Sequence, residues 1–523
     1  MLPARKQSWP VLGVVLATLL GACDSGGITI QLDWPDAEEL EPEREQVEEV
    51  TLSVLDGTDV AVRIVRALES AEWLDMGGIA PGNDLRFTVE LRSSTQRLLG
   101  YGRSALVDMR SGGAEPVPLN VRRPFVYVAG GTHVATFDTT RDVSTPAYQG
   151  QIDLIGDPVS VAVTPDGADL LVVTRTSQGG ALHRISTSDH RTARQEPISL
   201  SQEAVDMAVS ASGRYVVLAH DGAGGGISIV DLTAPSGADA LIFVALGPVQ
   251  RVAAGVGSGG DERAYALGTT GVLCDQASTT ITSISLQDPL AGGLSKTFAG
   301  PFEDLAASQY QDGVVVADRC RGTALLIRGE TELMSRAIER VPGASAVAMK
   351  GTSAWVVGAT RSDDPDIGVR LMLVGVDLSS CDEELCSSTR VDLPALDAVA
   401  ITDQFSGPGD EASRRIVADS MKALEIVMLP DSRHIALTIA GEFVAEERSG
   451  GLVPRIAVKS YEYVLVDTAA ALFTQRVRTR CEIEVESGPF GVSNWYCGKL
   501  PGQDELIGED YPPLGLAVLY GAR

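Results

Sequence analysis

The sequence predicts an all-β chain in which a small N-terminal β-sandwich is followed by a β-propeller. Three observations carry this prediction: alternating apolar and polar runs before residue 122, a near-absence of helical spacing, and a repeat of 42 to 53 residues after residue 123. Alternation with a period of two is typical of half-buried strands. A repeat of this length made of several short strands is typical of propeller blades.

The pattern of the first 27 residues predicts an export signal followed by a tether. Arg5 and Lys6 give a charged start, and residues 11–20 form an apolar core that is too short to span a bilayer as a helix. The sequence Leu20-Gly21-Ala22-Cys23 resembles the lipobox of bacterial lipoproteins. This resemblance implies a signal peptide over residues 1–22, a lipid such as palmitate on Cys23, and a lipidated tether over residues 23–27. The alternative is a cysteine that merely follows an ordinary signal peptide.

The lipobox resemblance also implies a location. The protein is expected in the cell envelope, attached to a bacterial membrane by its lipid and facing the periplasm or the cell surface. Asp24 resembles the residue that retains some lipoproteins at the inner membrane, but the choice of membrane stays open.

The chain of 523 residues has a formal net charge of -28. This acidity argues against nucleic acid as a partner, because phosphates would be repelled. It also argues against a basic patch that grips anionic lipids, so the lipid itself is the predicted anchor. Solubility is a sufficient reason for the acidity.

Residues 28–122 predict the sandwich. Alternation marks a strand at 28–34, and two further strands flank the turn Asp56-Gly57. Apolar runs continue the series at 85–91, 100–107 and 117–121. In pattern and position this segment resembles the immunoglobulin-like or transthyretin-like modules that follow lipoprotein tethers.

Residues 123–523 predict the propeller, because an alanine between apolar residues recurs through them. The alanines are separated by 46, 45, 53, 42 and 52 residues. Innermost strands crowd around a propeller axis and need small side chains, which explains the alanine. The repeated segments are centred on Ala162, Ala208, Ala253, Ala306, Ala348 and Ala400.

Ring closure is predicted from the two ends of this region. Residues 125–137 predict only outer strands of a first blade, and Leu516-Ala517-Val518 supplies the matching innermost segment. Ile435-Ala436-Leu437 is a candidate start of another blade. The prediction favours seven blades and leaves six or eight open.

The segment 158–173 contains Pro-x-x-Val-Ala-Val-Thr-Pro-Asp-Gly-x-x-Leu-x-Val and resembles the YVTN or lactonase-like class of seven-bladed propellers. The match covers residues 158–232, and later units lose the Pro-Asp-Gly turn. The resemblance implies a propeller fold, with a lactonase-like hydrolase as one possible activity. It assigns no catalytic residue.

Six cysteines remain besides Cys23, and an even number in an exported protein predicts up to three disulfides. Closeness in sequence favours the pairs Cys381–Cys386 and Cys481–Cys497, which leaves Cys274 for Cys320. Fifteen pairings are possible, so the connectivity stays open. Free thiols or a metal site are the alternatives, although no pair has C-x-x-C spacing.

No catalytic or metal motif emerges, and we predict no cofactor. The string from Gly255 to Gly260 satisfies G-x-G-x-x-G, but a strand follows it where a dinucleotide site needs a helix. The acidic loop of Asp363, Asp364 and Asp366 lacks the regular spacing of a calcium loop. Weaker candidates are the five histidines, two strand-end aspartates and three aromatic residues: His133, His183, His190, His220, His434, Asp318, Asp419, Trp355, Trp495 and Tyr496.

Two functions follow as hypotheses. The leading one is a non-catalytic, lipid-anchored propeller that binds or scaffolds an envelope protein or a glycan, because propellers offer a broad rigid loop face. The runner-up is a lactonase-like hydrolase with a site at the propeller axis.

Overall fold

The computed structural model describes residues 28–518, apart from 37, 57–58, 67–72, 77–78, 80–81, 83–84, 110–115, 132, 141–146, 192, 194–195, 235–239, 258, 272, 310–311, 364–367, 382–385, 395–413, 448–455, 487–491 and 497–514. Cys23 and the predicted signal lie outside the described residues. Eight β-sheets account for nearly all regular structure in the described ranges, which confirms the all-β prediction. Short 3-10 helices lie at Glu38–Leu40, Arg44–Gln46, Pro289–Ala291 and Leu378–Ser380.

The first sheet, called the N-terminal sheet below, has seven strands in the order β3-β2-β5-β6-β7-β1-β4. All neighbours are antiparallel except β1 and β7, which run parallel. The strands are β1 (Ile28–Asp33), β2 (Glu49–Asp56), β3 (Asp59–Arg66), β4 (Trp73–Met76), β5 (Leu85–Arg92), β6 (Leu98–Arg103) and β7 (Val117–Arg122).

This sheet folds over its own core. Ile30 on β1, Val54 on β2 and Val89 on β5 are completely buried, and they belong to one apolar cluster. That cluster contains only residues of the N-terminal sheet and its loops. One continuous seven-stranded sheet therefore encloses this cluster with its apolar face, which gives the N-terminal sheet a core of its own, as the predicted small sandwich requires.

Seven further sheets follow among the described residues, and we number them ring sheets 1 to 7. Ring sheet 1 consists of β36 (Gly515–Val518), β8 (Phe125–Gly130), β9 (His133–Asp138) and β10 (Ala147–Asp153). Ring sheet 2 consists of β11 (Asp157–Val163), β12 (Asp169–Thr176), β13 (Gly179–Ser186) and β14 (Ile198–Leu200). Ring sheet 3 consists of β15 (Asp206–Val209), β16 (Tyr215–His220), β17 (Gly226–Asp231) and β18 (Leu241–Ala245). Ring sheet 4 consists of β19 (Arg251–Val256), β20 (Glu262–Thr270), β21 (Ser278–Ser285) and β22 (Leu294–Ala299).

Ring sheets 5 to 7 continue the same up-and-down order. Ring sheet 5 consists of β23 (Phe302–Ala307), β24 (Val314–Asp318), β25 (Thr323–Arg328) and β26 (Met334–Arg340). Ring sheet 6 consists of β27 (Ala346–Lys350), β28 (Ser353–Arg361), β29 (Val369–Asp377) and β30 (Ser387–Asp392). Ring sheet 7 consists of β31 (Arg414–Met428), β32 (His434–Glu447), β33 (Ile456–Asp467), β34 (Leu472–Glu486) and β35 (Val492–Tyr496).

The innermost strands of these sheets form a closed circle. Along the circle β36, β11, β15, β19, β23, β27 and β31 each contact the next, and β31 contacts β36 again. Apolar clusters fill the space between adjacent sheets, so each sheet buries the face that it cannot cover alone. This arrangement is a β-propeller, and the recurring alanines at 162, 208, 253, 306 and 348 lie on its innermost strands, as predicted.

Closure also follows the prediction. The C-terminal strand β36 pairs with β8, with Ala517 opposite Tyr127, so both ends of the propeller region share ring sheet 1. Ring closure by strands from both ends leaves fewer open sheet edges.

Ring sheet 7 departs from the prediction. Residues 435–437 do not start another blade, because they lie in β32, its second strand, and residues 424–427 lie in the innermost strand β31. The cause is burial: Ala436 and its apolar neighbours Ile435 and Leu437 are buried on a second strand, so they show the pattern of an innermost strand. The segment at Ala400 lies outside the described residues. The blade count of the whole chain stays a prediction.

Candidate functional site

The two ends of the ring differ, and the contacts between innermost strands define them. The starts of these strands lie together: the Asp206 Oδ2 carboxylate accepts a hydrogen bond from the Val252 amide at 2.9 Å, and Asp304 Oδ2 accepts one from the Val347 amide at 2.9 Å. We call the end that holds these strand starts the open end. The opposite end, where the first and second strands of ring sheets 2 to 7 are joined, is the capped end.

The N-terminal sheet covers the capped end. Arg86 Nη2 donates to the Ala211 carbonyl at 2.8 Å, and Arg86 Nη1 donates to Gln309 Oε1 at 3.1 Å. Arg103 Nη2 also donates to Gln309 Oε1, at 2.8 Å, and Asn120 Nδ2 donates to the Asp166 carbonyl at 3.2 Å. The acceptors belong to turns of ring sheets 2, 3 and 5, so the N-terminal sheet reaches across the ring.

The alternation of side chains along β5 explains how the N-terminal sheet buries its own core on one face and contacts the ring with the other. Phe87 and Val89 point into the core of the N-terminal sheet, whereas Arg86 and Thr88 point to the opposite face. Arg86 is completely buried and Thr88 is nearly so, because that polar face lies against the ring. The alternation of apolar and polar residues in β5 would ordinarily predict that its polar face is solvated. Here that polar face instead forms the interface with the ring.

The open end contains a charged cluster at the axis. Arg251 begins β19 in ring sheet 4, and its Nη1 donates to Glu425 Oε1 of ring sheet 7 at 2.8 Å. Its Nε also lies 3.8 Å from Asp304 Oδ1 of ring sheet 5. Both carboxylates are buried, and a guanidinium group stabilises two buried charges that would otherwise be costly.

A second set of charges lies beside this pair at the same end. Glu303 Oε2 accepts a hydrogen bond from Lys422 Nζ at 2.6 Å, and Glu303 Oε1 lies 3.4 Å from Arg319 Nη1. Burial raises the pKa of Glu303, but the hydrogen bond and charge of Lys422 outweigh burial and hold the pKa below its ordinary value. The Lys422 and Arg319 side chains are 42% and 60% exposed, so the open end presents cations to solvent.

A disulfide fixes two loops of the open end. Cys274 follows β20 and Cys320 follows β24, so the Cys274–Cys320 bond joins ring sheets 4 and 5. Asp318 Oδ1 accepts from the amides of Cys320 at 3.1 Å and Arg321 at 3.0 Å, so this aspartate caps the turn. Leu273, next to the disulfide, is 56% exposed, and Ile155 in the loop before β11 is 79% exposed.

The other predicted cysteine pairs have two outcomes. Cys381 and Cys386 form a disulfide within the loop between β29 and β30, as favoured by their closeness in sequence. Cys481 lies in β34, whereas Cys497 lies outside the described residues. The Cys481–Cys497 pair stays a prediction.

The structure does not bring the histidines together. Four of them bond to partners at separate places in the ring: His183 to Thr174, His190 to Tyr127, His220 to Ser228 and His434 to Asp431. His133 begins β9, and burial lowers its pKa. Over the described ranges, no three His, Cys, Asp or Glu side chains are grouped to hold a metal ion.

The remaining candidates are dispersed. Gly255 lies in β19 and the rest of its glycine-rich string leads into β20, so this is a turn between strands, as predicted. Asp363 is exposed, and Asp364 and Asp366 lie outside the described residues. Asp419 lies inside β31 and does not end a strand, because that strand is unusually long. The aromatic candidates lie in strands: Trp355, half-buried, in β28, and Trp495 and Tyr496 in β35.

Sequence reasoning missed the charged cluster, although a signal was present. Asp206, Arg251 and Asp304 each stand two residues before a recurring alanine. That position lies at the start of an innermost strand, so a charge there reaches the axis at the open end.

The described residues contain no helix that is long and apolar enough to cross a membrane. A scan against protein-family models finds no match, and neither does a search of curated proteins. Solved structures to which this chain is similar include a functionally unknown protein from Desulfotomaculum acetoxidans DSM 771, with 13% identity over 63% of this chain and 94% of that chain and a TM-score of 0.41.

Two further structures are similar at the same level. The β-propeller domain of Cps50 (Swd1) from Myceliophteria thermophila has 10% identity over 65% of this chain and 98% of that chain, with a TM-score of 0.38. Hydrazine synthase from Kuenenia stuttgartiensis has 11% identity over 61% of this chain and 90% of that chain, with a TM-score of 0.36. We draw nothing about function from similarities this distant.

Proposed function

We propose that this chain is a non-catalytic binding module that is attached to a bacterial membrane by a lipid on Cys23 and holds a protein partner at its open end. One observation carries the proposal. The chain covers the capped end of its ring with its own N-terminal sheet, through Arg86, and leaves the loops of the opposite end uncovered by that sheet. Loops on a rigid scaffold are where binding residues concentrate.

The chemistry of the open end favours a protein over a glycan. Ile155 and Leu273 are exposed aliphatic side chains, and Lys422 and Arg319 are exposed cations at the same end of the ring. Protein interfaces combine apolar contacts with a polar, charged rim. Sugar rings stack mainly on aromatic faces, whereas the two most exposed large apolar side chains described at this end, Ile155 and Leu273, are aliphatic.

The lactonase-like alternative places its chemistry at the axis. There Arg251 pairs with Glu425 and lies close to Asp304, whereas His183 and His220 bond to partners on their own separate sheets. No observation therefore favours a hydrolase, and we do not propose one.

Chemical cross-linking of the protein in native envelopes tests the proposal. The double variant Ile155→Asp/Leu273→Asp places charges on the open end, and Leu290→Asp/Met334→Asp is the matched control. Leu290 and Met334 are 73% and 68% exposed and lie towards the capped end. We expect a reproducible cross-linked protein that the open-end variant loses and the control retains.

Equal cross-linking by both double variants would overturn the proposed site. Cross-linked material that disappears after glycosidase treatment but survives protease would identify a glycan and overturn the protein assignment. No reproducible cross-link in wild-type envelopes would count against a binding function.

A further inference from the structure

The chain enters the folded part of the molecule on the capped side. Its first described strand, β1, begins at the buried residue Ile28 and belongs to the N-terminal sheet. β1 is held there on both edges, by β7 on one side and β4 on the other. Whatever precedes Ile28 therefore leaves the molecule from the sheet that covers the capped end.

The tether is too short to reach the open end. Cys23 and Ile28 are five positions apart, and five fully extended residues span about 18 Å. The ring alone is taller than this, because β20 has nine residues, and a strand of nine residues spans about 30 Å. A lipid on Cys23 can therefore hold the bilayer against the N-terminal sheet but not against the open end.

We infer that the open end points away from the bilayer in the membrane-attached protein, so that its partner is a protein outside that bilayer. This inference rests on the lipid anchor of the proposed function. The N-terminal sheet then acts as a spacer between the membrane and the ring.

Energy transfer from single dyes to an acceptor lipid tests the orientation in the full-length, lipidated protein on vesicles. One pair of dye positions lies in ring sheet 4, with Leu273 at the open end and Leu290 at the capped end; both side chains are exposed. A second pair lies in ring sheet 2, with Gln178 at the open end and Arg191 at the capped end. Two pairs on different sheets separate an upright molecule from a tilted one.

We expect the open-end dye to transfer less in both pairs, by at least twofold. Equal transfer within either pair means that the ring lies on its side, and a reversed order means that the open end faces the lipid. Either result overturns the inference while the proposed binding function stands.

Mass spectrometry of the same preparation shows whether Cys23 carries a lipid, and so distinguishes a failure of the orientation from a failure of binding at the open end. A Cys23→Ser variant is the control and is expected to leave the vesicles. If the wild-type protein carries no lipid on Cys23, both the anchor and the orientation are wrong, whereas binding at the open end is still decided by the envelope cross-linking experiment.

Discussion

Arg251 and Glu425 form an ion pair that joins ring sheets 4 and 7, with 2.8 Å between Arg251 Nη1 and Glu425 Oε1. These sheets are not neighbours in the circle of innermost strands, so the pair crosses the axis at the open end. Arg86 lies at the other end of the same axis, where it bonds to turns of ring sheets 3 and 5. Arginine side chains therefore tie separate sheets together at both ends of the ring.

Replacing the axial arginine should destabilise the ring. In Arg251→Met, Glu425 and Asp304 lose the guanidinium beside them while they remain buried. We expect a loss of about 3–5 kcal/mol in the free energy of unfolding, the range for removal of one partner of a buried ion pair. Urea unfolding followed by tryptophan fluorescence measures this loss. Arg361→Met removes an exposed arginine at the end of β28 and should change little.

The double variant Arg251→Met/Glu425→Leu separates two causes of the expected destabilisation. One is the lost attraction between Arg251 and Glu425, and the other is the cost of leaving the Glu425 carboxylate buried without its cation. If the cost of Arg251→Met comes from the buried Glu425 carboxylate, removing that carboxylate as well should restore part of the stability. A double variant less stable than Arg251→Met would show that Glu425 contributes through other contacts.

The contact between the N-terminal sheet and the ring should depend on Arg86. Arg86→Ala removes hydrogen bonds from a buried cation to Ala211 and Gln309. We expect amide hydrogen exchange in the turns at 210–213 and 308–309 to become at least tenfold faster, because charge-assisted hydrogen bonds of this kind contribute about 1.5–3 kcal/mol each. Arg97→Ala, at an exposed position in the hairpin after β5, is the control. Unchanged exchange in both variants would mean that other contacts hold the sheet in place.

The two described disulfides should differ in their contribution to stability. Cys274 and Cys320 are 46 residues apart, and Cys381 and Cys386 are 5 apart. The loop-closure entropy of the unfolded chain then predicts a loss of about 4 kcal/mol for Cys274→Ser/Cys320→Ser and about 2 kcal/mol for Cys381→Ser/Cys386→Ser. Denaturant unfolding of the two double variants measures both values, and the opposite order would contradict the entropic account.

His190 should make the protein less stable in acid. Its Nε2 lies 2.8 Å from the Tyr127 hydroxyl, and burial lowers its pKa from 6.5 to about 4. Between these values the unfolded chain binds a proton that the folded chain does not, so stability falls as the pH falls. The full effect is about 3 kcal/mol below pH 4.

An Asn variant isolates this contribution from that of the many carboxylates. His190 has a φ of 57°, which Asn adopts more readily than most residues, so His190→Asn is the suitable replacement. The difference in unfolding free energy between wild type and His190→Asn should change by about 3 kcal/mol from pH 7 to pH 4. A difference that is constant with pH would refute the prediction.

The alanine repeat predicted the ring, because crowding at the axis limits side-chain size on the innermost strand of every sheet. The recurring alanines from Ala162 to Ala348 show this limit directly in the sequence. Ring sheet 7 was predicted wrongly, because Ala436 is buried between apolar neighbours on a second strand and so shows the pattern of an innermost strand. The charged cluster was missed for another reason. Arg251, Glu425 and Asp304 are far apart in sequence and meet only when the ring closes.

Ring closure itself is testable, because a single short strand completes it. β36 contributes only Gly515–Val518, yet it pairs with β8 and contacts the innermost strands on both sides, β11 and β31. Deleting residues 515–523 removes this strand and exposes the edge of β8, whereas deleting residues 519–523 leaves the strand intact and is the matched control. We expect the longer deletion to lower the thermal midpoint strongly and to promote association through the exposed edge, because an unpaired strand edge can pair with another chain. Scanning calorimetry and size-exclusion chromatography check both effects. Equal behaviour of the two deletions would show that β36 does not close the ring.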